Sequence, residues 1–213
     1  MIEIDASTPP ELVPLAWLVG GWSGSGVLSY RLGDETIERE FGQRISFAIG
    51  AGPWLEYRAA AWLEGESPER PYFVESGFWR LARPLGSGDV SPGMLPPSGA
   101  PVFATADAVE TLRVPIEGEP AARDGAAPAP TGFEVEAVLA RPDGVAEVYL
   151  GLARPARIDL ATDAVVRTAS AREYSAATRL YGLVDDHLLW AWDVAALGQD
   201  LRTHASGRLA RDD

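Results

Sequence analysis

Along most of the chain, apolar and polar residues alternate one for one. Over residues 36–47 (TIEREFGQRISF) the phase Ile37, Arg39, Phe41, Gln43, Ile45, Phe47 is mainly apolar, while Glu38, Glu40, Gly42, Arg44 and Ser46 hold the other phase. A period of two is that of an extended strand with one dry and one wet face. Residues 54–63 and 72–81 continue it, with Phe73, Glu75, Gly77 and Trp79 opposing Val74, Ser76, Phe78 and Arg80. In the second half, strands at 132–140 and 145–152 flank Arg141-Pro142-Asp143-Gly144, a Pro-x-Gly turn between neighbours. Two shorter strands are predicted at 156–160 and 164–168. Three more follow at 172–181, 187–194 and 201–209, with Asp185-Asp186 turning between two of them.

About ten strands at short spacing, with no long helical segment between them, define an all-β chain that is either a closed antiparallel barrel or a sandwich. The barrel is preferred because it leaves no open edges in a monomer. Ahead of the strands, residues 1–10 are polar and end in Pro9-Pro10, a weakly ordered start. Residues 11–18 (ELVPLAWL) predict a short N-terminal helical turn that sets Leu12, Leu15, Trp17 and Leu18 against something apolar. Residues 20–26 are too rich in glycine for a helix and read as a bent strand start. Residues 84–131 break the pattern. Two Pro/Gly/Ala/Ser-rich loops there enclose residues 102–116 (VFATADAVETLRVPI), which add a hairpin or lie over the barrel. The whole is read as a single domain, 1–213, with a loop/hairpin insertion at 84–131. No internal repeat is visible, which disfavours solenoids and propellers.

Charge and composition narrow the chemistry. With 18 basic against 31 acidic side chains, the net charge is -13. Such a surface repels a phosphate backbone, and no basic stripe is interleaved with aromatics, so no nucleic-acid partner is expected. Cysteine is absent, which removes disulfides, thiolate nucleophiles and iron–sulfur ligation. The first residues carry acids where a secretory leader carries bases, and no run of 18 uncharged apolar residues occurs. A cytoplasmic location without membrane attachment is therefore expected. Two histidines and no nucleophile elbow give a hydrolase triad little to rest on.

One stretch is more specific. Gly20-Gly21-Trp22-Ser23-Gly24-Ser25-Gly26 is a G-x-W-x-G-x-G run, with Gly20, Trp22, Gly24 and Gly26 at its fixed positions. It resembles the signature of the nitrobindins, calycin-like barrels related to fatty-acid-binding proteins. Gly-Pro-Trp-Leu after Phe47 is similar to that family's Gly-x-Pro-Phe-Leu, and Glu75-Ser76-Gly77-Phe78-Trp79-Arg80 to its E-x-G-x-x-R strand. The hairpin from Glu136 to Gly151 and the segment from Trp192 to His204 also match. The resemblance covers residues 12–83 and 132–211. It implies a haem b cofactor, a ferric iron with His204 as axial ligand, and a small-molecule ligand: peroxynitrite isomerised to nitrate, nitric oxide bound, or both. Trp22, Phe47, Tyr57, Trp79, Tyr149, Trp190 and Trp192 are candidate pocket walls, and each serves equally well as plain core.

The residues themselves set two obstacles. In a regular strand Leu201, Thr203, Ala205, Gly207 and Leu209 form the apolar phase, leaving His204 with Arg202, Ser206 and Arg208 on the wet face. A bulge near residues 200–203, or a haem seated at the rim, is needed. Ile49 and Phe73 stand where the family commonly has histidine, and neither donates a hydrogen bond to a bound oxygen. The other histidine, His187, follows a turn and is expected to be exposed and not a ligand. Three readings are compatible with this pattern: a haem-dependent peroxynitrite isomerase, a non-enzymatic barrel for a small hydrophobic ligand with its haem site lost, and a dimerising scaffold. A monomer and a homodimer are both allowed.

Overall fold

The computed structural model describes residues 8–32, 35–85, 103–116, 131–196 and 200–212. The alternating segments form β1 (Gly20–Leu32), β2 (Glu35–Ile49), β3 (Leu55–Leu63), β4 (Phe73–Leu81), β5 (Arg113–Pro115), β6 (Thr131–Arg141), β7 (Val145–Arg154), β8 (Arg157–Arg167), β9 (Tyr174–Val184), β10 (His187–Ala196) and β11 (Arg202–Arg211). Ten of them follow one another antiparallel in the order β4-β3-β2-β1-β11-β10-β9-β8-β7-β6, and β6 pairs back to β4. The ring is closed, which decides for the barrel over the sandwich. The short strand β5 extends it on the edge of β6 that β4 leaves free.

Turn chemistry fits the sequence. Gly144 takes φ +88 in the β6–β7 turn, and Asp185 and Asp186 take φ 49 and 59 between β9 and β10. Two successive positive φ values suit the right-handed twist of a tight hairpin.

Two expectations need correction. The strands predicted at 156–160 and 164–168 are one strand, β8. Val148 faces Ala164 and Tyr149 faces Thr162, so Asp163 is an extra, bulged residue; a bulge shifts the alternation by one and imitates a break. Residues 102–116 do not form a hairpin of their own. The described part holds helix α1 (Ala106–Val109), a 3₁₀ turn (Glu110–Leu112) and β5. The Thr105 hydroxyl caps α1 by accepting from the Ala108 N–H at 3.2 Å. The flanking loops at 86–102 and 117–130, and the start at 1–7, lie outside the described residues.

The barrel has two unlike ends. A 3₁₀ helix (Pro10–Leu18) covers one, packing on β4, β7 and α1 with Leu12, Leu15 and Leu18 fully buried. Trp17 is only partly buried. Beneath the helix, Trp22 is 0% exposed and donates from Nε1 to the Leu18 carbonyl at 2.8 Å. The Arg211 guanidinium lies 4.1 Å from the Trp22 ring centre. Gly24 and Gly26 let β1 lie close against β11: a Cβ on either would collide with a β11 carbonyl, of Arg208 or Ser206. Phe47, Tyr57, Trp79 and Tyr181 interlock in the barrel core with ring centres 5.1–6.5 Å apart.

Candidate functional site

Register places His204 at the end opposite the helix. Trp22 pairs with Arg211 near one end of the β1–β11 ladder, and Leu28 pairs with Ala205 near the other. Between β10 and β11, Trp192 faces Ala205 and Asp193 faces Thr203, so His204 has no partner across the ladder. It is the extra residue of a β-bulge, just past the segment where a bulge was required. Ala205 keeps the inward phase and is buried, Thr203 is exposed, and His204 is turned part-way in. The wet-face objection is thereby removed.

The imidazole stands edge-on to Trp192 (centres 5.5 Å apart, planes at 88°), with Tyr30 at 6.1 Å on another side. Among the described residues, no hydrogen bond holds either ring nitrogen. Burial, then the positive charges of Arg141 and Arg202, push its pKa below the ordinary imidazole value. The ring is therefore neutral near pH 7, the form with a free lone pair for a metal. A small pocket of about 40 Å³ adjoins it, lined by Ser29, Tyr30, Arg31, Val194, Ala196 and Arg202.

Below this mouth lies a charged layer that the alternation pattern did not lead to. Glu75 and Arg179 form a two-pronged pair at 2.6 Å per bond, and both are buried. Arg179 Nε also donates to the Tyr149 hydroxyl at 2.9 Å. Tyr149 in turn donates to Glu147 Oε1 at 2.6 Å, and Tyr174 donates to the same oxygen. Burial raises the pKa of Tyr149 and Tyr174, and the Glu147 charge adds to this, so both stay phenols and donors. Arg141 lies above the layer, 3.7 Å from Glu147 Oε2, with its guanidinium over the rings of Tyr174 (4.9 Å), Trp192 (5.5 Å) and Phe73 (6.0 Å). The signal for this layer was present in the sequence: Glu75, Glu147 and Arg179 each fall on the dry phase of an otherwise apolar strand. A strand by itself does not say that the three meet.

The candidate wall residues separate by depth. Trp192 touches His204. Trp190, one inward step deeper, packs on Phe41 at 6.1 Å. Tyr149 belongs to the charged layer, Phe47, Tyr57 and Trp79 to the interlocked rings, and Trp22 to the covered end. Phe73 sits at the mouth, 5.8 Å from Trp192. Ile49 pairs with Leu55 toward the covered end and is 42% exposed, so it is remote from His204. His187 pairs with Ala210 at that same end, half-buried, with Nδ1 2.7 Å from the Asp185 carbonyl. Among the described residues, no three metal-ligating side chains cluster. A metal at this mouth would have to arrive with most of its ligands, as a haem iron does.

The residues at the mouth fit such a group in kind. An imidazole faces an aromatic wall, and among the described residues Trp192 Nε1 and Arg141 Nη1 are buried without a hydrogen-bond partner. Orphaned buried donors are uncommon and call for a partner from outside the chain or a water. Fold and mouth together define a calycin-like barrel, covered at one end and carrying a single presented histidine at the other. The chain belongs to the family of the THAP4-like, heme-binding beta-barrel domain, whose model matches residues 11–211; this is the nitrobindin-like family that the glycine–tryptophan motif resembles. Over its whole length it is 54% identical to the peroxynitrite isomerase of Clavibacter michiganensis subsp. michiganensis, covering all of both chains. It is 55% identical to that of Leifsonia xyli subsp. xyli, covering 99% of each. The crystal structure of Rv2717c from M. tuberculosis superposes with a TM-score of 0.64 at 20% identity, over 97% of this chain and 100% of that one, a likeness of fold.

Proposed function

We propose that this protein holds haem b at the open end of its barrel, where His204 would bind the iron, and isomerises peroxynitrite to nitrate there. The observation that carries the reading is the bulge that turns His204 toward Trp192. The names of its relatives, matched at more than half of all positions along the full chain, supply the reaction. Bound, a ferric haem supplies the redox-active, Lewis-acidic centre at which peroxynitrite rearranges.

The chain's own share is positioning and exclusion. His204 offers its lone pair, and its burial, aided by the charges of Arg141 and Arg202, disfavours protonation. Phe73, Trp192 and Tyr30 give the mouth aromatic walls, and the Glu75–Arg179–Glu147 layer forms a rigid floor beneath them. The pocket of about 40 Å³ at the ring has room for about one water. Seating a macrocycle therefore requires the rim side chains to swing aside. A large apolar ligand inside the barrel is disfavoured, since interlocked aromatics and the charged layer occupy that interior.

Hemin titrated into the purified apoprotein is expected to give a Soret band saturating at one equivalent, lost in His204→Ala while the far-ultraviolet circular dichroism is retained. Absence of a Soret band in the wild type sinks the reading.

A further inference from the structure

One charged group at the mouth remains unexplained by the floor beneath it. The Arg141 side chain is 7% exposed, yet among the described residues its five N–H donors find little. Nε reaches Asp143 Oδ1 at 3.4 Å, and Nη1 is buried with no hydrogen bond, its nearest carboxylate oxygen, Glu147 Oε2, being 3.7 Å away. Glu147 already has its Oε1 occupied by two phenols, and Arg179 Nη2 reaches its Oε2 at 3.4 Å. The second cation of this layer is thus held by ring faces more than by an acid. A guanidinium enclosed by Phe73, Tyr174 and Trp192 keeps a planar fork of donors that only a planar, two-oxygen anion fills well.

Its position says where that anion would sit. The Trp192 ring centre lies 5.5 Å from that of His204, with the planes at 88°, and 5.5 Å from the Arg141 guanidinium, with Arg179 at 4.9 Å. Imidazole and guanidinium are therefore neighbours of one indole. The geometry points to Arg141 as the receptor for a planar oxyanion at the barrel mouth, supplied either by a carboxylate of the macrocycle or by a small nitrogen oxyanion. The first source rests on the haem reading; the second does not require it. The Lys side chain offers charge without the fork, and Met offers the stem without the charge.

The test uses wild type, Arg141→Met and Arg141→Lys. Hemin and hemin dimethyl ester are titrated by Soret absorbance. Sodium nitrite is titrated into apoprotein by tryptophan emission and into the hemin-loaded protein by Soret shift. A charge-assisted pair is worth enough that its loss weakens binding by about tenfold or more. If the macrocycle supplies the anion, hemin affinity drops by that factor in Arg141→Met, recovers in part in Arg141→Lys, and ester affinity is the same in all three. If a nitrogen oxyanion is the ligand, hemin affinity holds and nitrite affinity falls instead. Should folded Arg141→Met bind hemin and nitrite as tightly as wild type, Arg141 is only a counter-ion of Glu147 and the proposal is wrong. Should that variant not fold, wild type and Arg141→Lys decide: no preference for hemin over its ester, with no response to nitrite, overturns it equally. If wild type binds neither porphyrin, the haem reading fails separately. Nitrite-dependent emission that weakens in the variants then still supports Arg141, and its absence does not.

Discussion

A guanidinium cut off from water has to be matched nearly atom for atom, and Arg179 is: two carboxylate oxygens of Glu75 and one phenol take its donors. The opposed charges raise its pKa even against full burial. Such a pair adds little over a well-packed apolar alternative, yet breaking it leaves one charge stranded in a poor solvent. Arg179→Met is therefore expected to cost about 3–5 kcal/mol in urea unfolding. The double replacement Arg179→Met with Glu75→Leu is expected to recover most of that loss. A single substitution that proves neutral contradicts the buried pairing.

At the scale of elements, bulges decide what the strands present. Removing the extra residue of β11 by deleting Thr203 restores a regular ladder with β10 and returns His204 to the wet face. The variant is expected to keep its circular dichroism and lose hemin binding. Retained binding would mean that His204 needs no bulge. The β7–β8 hairpin offers a pH test. Partial burial pushes the Asp159 carboxyl up, but hydrogen bonds from Arg157 (2.6–3.1 Å) and Arg154 outweigh it and hold the group below the usual aspartate range. A depressed folded value means that the unfolded chain takes up the proton first. The contribution is complete above the ordinary value of about 3.9 and is lost as pH falls through the lower folded value. Asp159→Asn is expected to flatten stability against pH in that acid range, with urea midpoints drawing together at the acid end.

For the whole molecule, closure of the ring and the difference between its ends determine what the protein can do. One end is sealed by Leu12, Leu15 and Leu18 over Trp22; the other brings His204, Trp192, Phe73 and Arg141 to one mouth. The described part of the insertion packs on the sealing helix, away from His204. Among the described residues, no helix is long and apolar enough to cross a membrane.

The strands, their turns at Gly144 and Asp185-Asp186, and the barrel class were legible in the chain because alternation and turn chemistry are local properties. So was the glycine–tryptophan motif, since a missing Cβ at Gly24 and Gly26 is written in the residue itself. Three results were not local: the bulge at His204, the single strand running through Asp163, and the meeting of Glu75, Glu147 and Arg179. Each depends on which residue of a distant strand stands opposite. That register is chosen by closure of the ring, and no segment carries it alone.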